Sequence, residues 1–153
     1  MVKLNYLDRW TRKRQENAGY YETLFGQTDL AARGLVRLPQ AVFRGRPGLE
    51  KGYHIYNQYV LRVKDRAGLQ SFLTRQGVGT EIYYPVSFHQ QPCFLYLGYR
   101  SGDFPEAEKA AQEVLALPIF PELTREQQEY VVEKIKQYYE GGENDGIFPG
   151  TDG

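Results

Sequence analysis

The chain has 153 residues, a length suited to one domain that buries about 70 % of the surface its unfolded form exposes. Its 19 Lys and Arg balance 19 Asp and Glu, so no general electrostatic pull toward nucleic acid or membrane is expected. A single cysteine, Cys93, excludes an intrachain disulfide and any multi-cysteine metal site. Its neighbours Pro92, Phe94 and Leu95 predict a buried structural thiol. There is no run of about 18 apolar residues to span a bilayer and no signal-peptide pattern at the amino terminus. The expectation is a soluble, cytoplasmic chain.

Leu4, Leu7, Ala18, Tyr21 and Phe25 recur at helical spacing and predict one long amphipathic helix over 2–25. The periodicity is already running at residue 4 with no capping residue ahead of it, the pattern of a helix cut from something longer and equally of an ordinary frayed terminus. The basic cluster Arg9-Trp-Thr-Arg-Lys-Arg14 reads as a solvated face of this helix. Residues 26–52, punctuated by Gly and Pro, form an irregular crossing with a short helix near 29–33 and an exposed Arg44-Gly-Arg46-Pro-Gly48 loop.

Residues 54–63 read as a strand with Ile55, Asn57, Tyr59, Leu61 and Val63 on one face. Asp65 caps a helix whose Leu69, Phe72 and Leu73 face the core, and Gly77 ends it. A second strand is expected over 80–84 and a helical turn over 94–98. Asp103-Phe-Pro-Glu106 has capping-box spacing ahead of a helix packed through Ala107, Ala111, Val114 and Leu115. Leu117–Pro121 leaves room for a brief extended segment. A second capping box, Thr124-Arg-Glu-Gln127, opens a last helix packed through Val131, Ile135 and Tyr138. The organisation is an α+β domain over 1–140 and a disordered Gly- and Asp-rich tail over 141–153.

One stretch looks built for a ligand: Gly79-Thr-Glu-Ile-Tyr-Tyr-Pro-Val-Ser-Phe-His-Gln-Gln-Pro92. Tyrosine offers a ring and a hydroxyl; histidine donates, accepts or carries charge near neutral pH. Tyr83, Tyr84 and His89 are the candidate substrate-binding residues, with Tyr83 and Tyr84 on opposite faces of a strand end. His54 and His89 are the two histidines and lack partners at metal-ligand spacing, so no metal site is expected. His54 reads as structural, and Arg62 as half of a strand-end ion pair. There is no glycine-rich dinucleotide or triphosphate cradle and no Gly-x-Ser-x-Gly nucleophile elbow. The residues alone describe a compact domain with a polar, aromatic ligand loop and no complete catalytic machine.

The order of several segments is more specific. These are Lys3-Leu-x-x-Leu-Asp-x-Trp10 with Arg14 and Ala18-x-Tyr20; His54-x-Tyr56-x-Gln58-Tyr59; Gly77-Val-Gly-Thr80; Tyr84-Pro85 with His89-Gln90; Asp103-Phe-Pro-x-Ala-Glu108; and Leu115-Ala-Leu-Pro-Ile-Phe-Pro-Glu-Leu-Thr124. Over residues 2–139 this set resembles the carboxy-terminal part of the DegT/StrS family of sugar aminotransferases.

The resemblance implies the small domain of the aspartate-aminotransferase (type I pyridoxal-phosphate) fold, a long first helix and a short sheet covered by helices. It implies an intact enzyme that moves an amino group, commonly from glutamate, to a nucleotide-linked keto sugar. In such an enzyme a large domain supplies pyridoxal phosphate and its Schiff-base lysine. Tyr83 and Tyr84 then match positions near the substrate, and His89 a loop histidine that hydrogen-bonds the sugar or its phosphate. Ser87-Phe88 departs from the family's usual Pro-Leu, and Asn57 stands where histidine is common.

None of Lys3, Lys13, Lys51, Lys64, Lys109, Lys134 or Lys136 lies in the family's Schiff-base context. The chain alone is therefore expected neither to bind the cofactor tightly nor to transaminate, and to expose apolar surface toward a missing large domain or a homodimer partner. The alternatives are a non-enzymatic module that binds a sugar nucleotide or docks a partner, and an unrelated α+β scaffold.

Overall fold

The computed structural model describes residues 2–141. A 3-10 turn, Lys3–Tyr6, leads into α1 (Leu7–Gly26). Then follow β1 (Val36–Arg37), β2 (Tyr59–Val63), α2 (Arg66–Arg75), α3 (Pro105–Glu113), β3 (Val114–Leu117) and α4 (Arg125–Gly141). The strands form one antiparallel sheet in the order β1-β2-β3. The expected tail beyond Gly141 falls on 142–153, outside the described residues.

Alternation along β2 sorts its side chains. Tyr59, Leu61 and Val63 are buried beneath the helices, while Val60 and Arg62 point to the opposite face. Across the ladder Tyr59 pairs with Leu117 and Leu61 with Leu115. From α1, Tyr21 stacks on Tyr59 with ring centroids 5.0 Å apart, and its hydroxyl donates to the Pro118 carbonyl at 3.1 Å. Leu69 and Leu73 of α2 and Val131, Val132 and Ile135 of α4 close the core. Each large apolar side chain so buried contributes about 1.5–3 kcal/mol.

The expected strand over 54–63 is shortened to its second half. Tyr56 sits at φ 44°, a left-handed conformation that no strand accommodates. His54 Nδ1 accepts the Tyr56 N–H at 2.9 Å, closing a local turn. Arg14 and Gln15 of α1 hold this turn by donating to the Ile55 and His54 carbonyls at 2.8 Å. His54 is thus structural. Burial, helped by the Arg44 charge, lowers its pKa from the usual 6.5.

The expected strand over 80–84 contracts to one bridge, Glu81 with Ala116. The expected helix face Ala107–Leu115 is cut at Glu113. Val114 and Leu115 leave the helix for β3, where pairing with Arg62 and Leu61 outweighs helical spacing. The short helix near 29–33 is a single turn closed by Arg33 N–H to the Asp29 carbonyl at 2.9 Å. Cys93 is exposed, contrary to expectation, because the 3-10 turn Pro92–Leu97 lies on the surface with Leu95 and Tyr96.

Of the two predicted capping boxes, the second forms in full. Thr124 N–H donates to Gln127 Oε1 at 3.0 Å, and Gln127 N–H to Thr124 Oγ1 at 3.3 Å. At the first, the cap position belongs to Phe104, and Asp103 accepts from Arg100 N–H instead. Asp65 caps α2 as expected, accepting from Gly68 N–H at 3.2 Å.

Two tests follow from this packing. A Cβ on Gly68 would collide with the Tyr138 hydroxyl and the Asp65 carboxylate, which hydrogen-bond each other there. Gly68→Ala, ordinarily a gain of about 1 kcal/mol in a helix, is expected to lose about 1–2 kcal/mol net through overpacking and cap disruption in urea unfolding. For His54, the unfolded state takes up the proton first as pH falls. The stability is therefore full above 6.5 and lost as pH drops toward the lower folded value. Urea midpoints of the wild type should decline below that pH, while those of His54→Asn, which keeps an acceptor but does not titrate, should not follow.

Candidate functional site

The loop after Glu81 is hung from the sheet by a pair of backbone bonds. Ala116 N–H donates to the Glu81 carbonyl at 2.8 Å, and Glu81 N–H to the Ala116 carbonyl at 3.2 Å. From that anchor the chain presents Tyr83 at 41 % and Tyr84 at 63 % exposure. Phe88 joins them, its ring centroid 5.8 Å from that of Tyr84. Beneath the rings lies a cavity of about 220 Å³ whose floor is the alanine face of α3: Ala107, Ala110 and Ala111.

His89 lies inward, 8 % exposed, in the 3-10 turn Phe88–Gln90. Its Nε2 is 2.9 Å from Glu108 Oε1 on α3, and its ring packs on Phe104 with centroids 4.8 Å apart. An ionised carboxylate only accepts, so Nε2 carries the proton. Glu108 also receives Gly102 N–H at 2.7 Å and the Ser101 hydroxyl at 3.2 Å. The Gly102 N–H, with His89 and Ser101, holds the Glu108 carboxyl below its usual pKa despite partial burial. Gly102 adopts φ +96°, which lets the 98–104 turn fold back over the carboxylate.

Of the three sequence-predicted site residues, the structure brings Tyr83 and Tyr84 to the surface and places His89 in the support beneath them. Glu108 and Ser101 are the members that sequence reasoning missed. The available signal was that a buried histidine needs a partner, and Glu108 is the acid flanking the alanine face of the next helix. Arg62 forms the expected ion pair, to Glu113 at 2.8 Å with Glu106 at 3.8 Å.

The chain's lysines do not fit a Schiff-base role at this cavity. Lys13, Lys134 and Lys136 bond neighbours on their own helices, Lys3 and Lys51 are exposed elsewhere, and Lys64 and Lys109 line a separate groove. No described lysine therefore gives this cavity a covalent anchor for pyridoxal phosphate. Among the described residues no group of three or more His, Cys, Asp or Glu is arranged to hold a metal ion. No described helix is long and apolar enough to cross a membrane.

This small α+β domain, with an aromatic loop hung from a three-stranded sheet, is a fold shared with sugar aminotransferases. The family model of the DegT/DnrJ/EryC1/StrS aminotransferase family matches residues 1–136, and the chain belongs to that family. It is 49 % identical over 138 residues to a pleiotropic regulatory protein of Geobacillus stearothermophilus, covering 90 % of this chain and 34 % of that protein. It is 32 % identical over 137 residues to the dTDP-3-amino-3,6-dideoxy-alpha-D-galactopyranose transaminase of Aneurinibacillus thermoaerophilus, again 90 % of this chain and 34 % of that one. The crystal structure of S. venezuelae DesV in complex with a ketimine intermediate superposes with a TM-score of 0.75 at 29 % identity, over 91 % of this chain and 34 % of DesV. The chain therefore spans about a third of the length of the relatives it matches.

Replacing Glu108 by Gln tests the support. The stability that Glu108 contributes is present above its unfolded pKa of about 4.5 and lost as pH falls through the lower folded value. Glu108→Gln should flatten that acid limb. It should also speed amide hydrogen exchange across 87–91 and 101–103 at neutral pH, with α4 unchanged.

Proposed function

We propose that the chain is the substrate-closing small domain of a pyridoxal-phosphate-dependent nucleotide-sugar aminotransferase, inactive unless a large domain supplies the cofactor and its lysine. The observation that carries the reading is the family match over residues 1–136 on a chain whose lysines all lie away from the aromatic cavity. In this reading the Tyr83 and Tyr84 hydroxyls bond the sugar of a nucleotide-linked keto substrate and their rings exclude water above it. His89 holds the loop through Glu108 and offers Nδ1 to the sugar or its phosphate. Pyridoxal phosphate, bound on the large domain, would supply the electron sink for amino transfer from glutamate.

Exposed Leu95, Tyr96 and Leu97 beside the aromatic loop, and Val2 and Leu4 ahead of α1 with Leu7 at its start, support the docking of further protein mass. The remote lysines equally support a second reading, a non-enzymatic module that binds a sugar nucleotide or a partner.

The test is to mix the purified chain with the separately expressed portion of the Aneurinibacillus transaminase that this chain does not cover, pyridoxal phosphate, glutamate and a dTDP-linked 3-keto sugar. The chain alone should form no 2-oxoglutarate and the mixture should, with Tyr84→Ala cutting kcat/KM at least about tenfold, as expected for a lost ligand hydrogen bond. Turnover by the chain alone would refute the reading. Sugar-nucleotide binding without turnover in the mixture would favour the second.

A further inference from the structure

On the other flank of α3 a groove of about 820 Å³ runs beside the free edge of β1. Its charges follow from periodicity. Arg37 and Arg62 are directly opposed in the β1–β2 ladder and so share a face, and Lys64 follows two residues on from Arg62. Glu106, Lys109 and Glu113 recur at helical spacing on the side of α3 that faces them.

The three carboxylates lining the groove are already engaged. Glu22 takes both guanidinium nitrogens of Arg44 at 2.7 and 2.8 Å, while Glu113 and Glu106 flank Arg62. Arg37, Lys64 and Lys109 have no ion-pair partner among the described residues. Like charges directly opposed across a ladder are destabilising, and the glutamates neutralise only the Arg62 half of that pair. The three open cations thus line one concave site whose remaining wall is mostly apolar, with Leu35, Leu38 and Pro39 beside Gln40. A volume of this size is typical of small-molecule pockets.

We propose that this groove binds a phosphorylated small molecule, its phosphate among Arg37, Lys64 and Lys109 and its less polar part along Leu35, Leu38 and Pro39. The site is separate from the tyrosine loop and does not require the aminotransferase reading.

The test is calorimetric titration of the full chain at low salt with inorganic pyrophosphate, uridine diphosphate, glucose 6-phosphate and, as a neutral control, uridine. Saturable one-to-one binding of at least one phosphate, weakening with salt and absent for uridine, is expected. The tightest ligand distinguishes a nucleotide, a sugar phosphate and a bare phosphate source. Arg37→Ala and Lys109→Ala should each weaken binding about tenfold, the scale of one charge-assisted hydrogen bond. Lys109→Glu should abolish it, and Tyr84→Ala should leave it intact.

Three outcomes would overturn the proposal. One is no saturable phosphate binding at millimolar concentration. Another is wild-type affinity in a correctly folded Arg37→Ala/Lys64→Ala/Lys109→Ala variant. The third is loss of binding in Tyr84→Ala, which would move the anion to the aromatic loop.

Discussion

The four-residue ladder between Tyr59–Arg62 and Val114–Leu117 is the contact on which the rest of the domain depends. Its inner face, Tyr59 and Leu61 against Leu117 and Leu115, receives Tyr21 from α1 and the apolar faces of α2 and α4. Its outer face carries Arg62, which fixes α3 through Glu113. Its far edge, through Ala116, suspends the loop that presents Tyr83 and Tyr84. Core, helix position and aromatic loop are therefore set by one short antiparallel pairing.

The aromatic loop is organised in two tiers. The exposed tier, Tyr83, Tyr84 and Phe88, is aromatic and faces solvent. The buried tier, His89, Glu108, Gly102 and Ser101, is a polar network in which Glu108 satisfies three donors. Polar groups in a poorly hydrated setting must find partners or cost heavily, so this network gives the loop a defined shape without a regular strand. At the Ser87-Phe88 departure the Ser87 carbonyl receives the Gln90 N–H at 2.9 Å, while its buried hydroxyl finds no partner among the described residues.

How much of this was legible in the sequence depended on the range of the interaction. The Asp65 and Thr124 caps were readable because the partner lies three residues away. The strand core Tyr59–Val63 and the helices α1, α2 and α4 followed from periodicity. The end of α3 was missed because Val114 and Leu115 fit a helical face locally, and only β2, far away in sequence, makes them a strand. The turn at His54–Tyr56 was hidden for a similar reason: its aromatic residues read as strand formers, while bonds from α1 and a histidine acting as a turn acceptor decide the backbone. Tyr83 and Tyr84 were visible as residue types, but the Glu108 support of His89 arises from a helix 19 positions downstream.

The direct passage of α3 into β3 has a consequence for how this lineage can vary. Glu113 is helical and Val114 is extended, with no connecting residue to absorb a change in length. Because the strand register is pinned by Leu61 and Tyr59, one inserted residue ahead of Val114 would turn the helix by about 100° about its axis. That rotation would carry the alanines away from the aromatic cavity, Glu108 away from His89, and Lys109 out of the groove together. The junction is a place where homologous chains can exchange residue types but not lengths, so gaps should be rare there and frequent in the 44–52 loop.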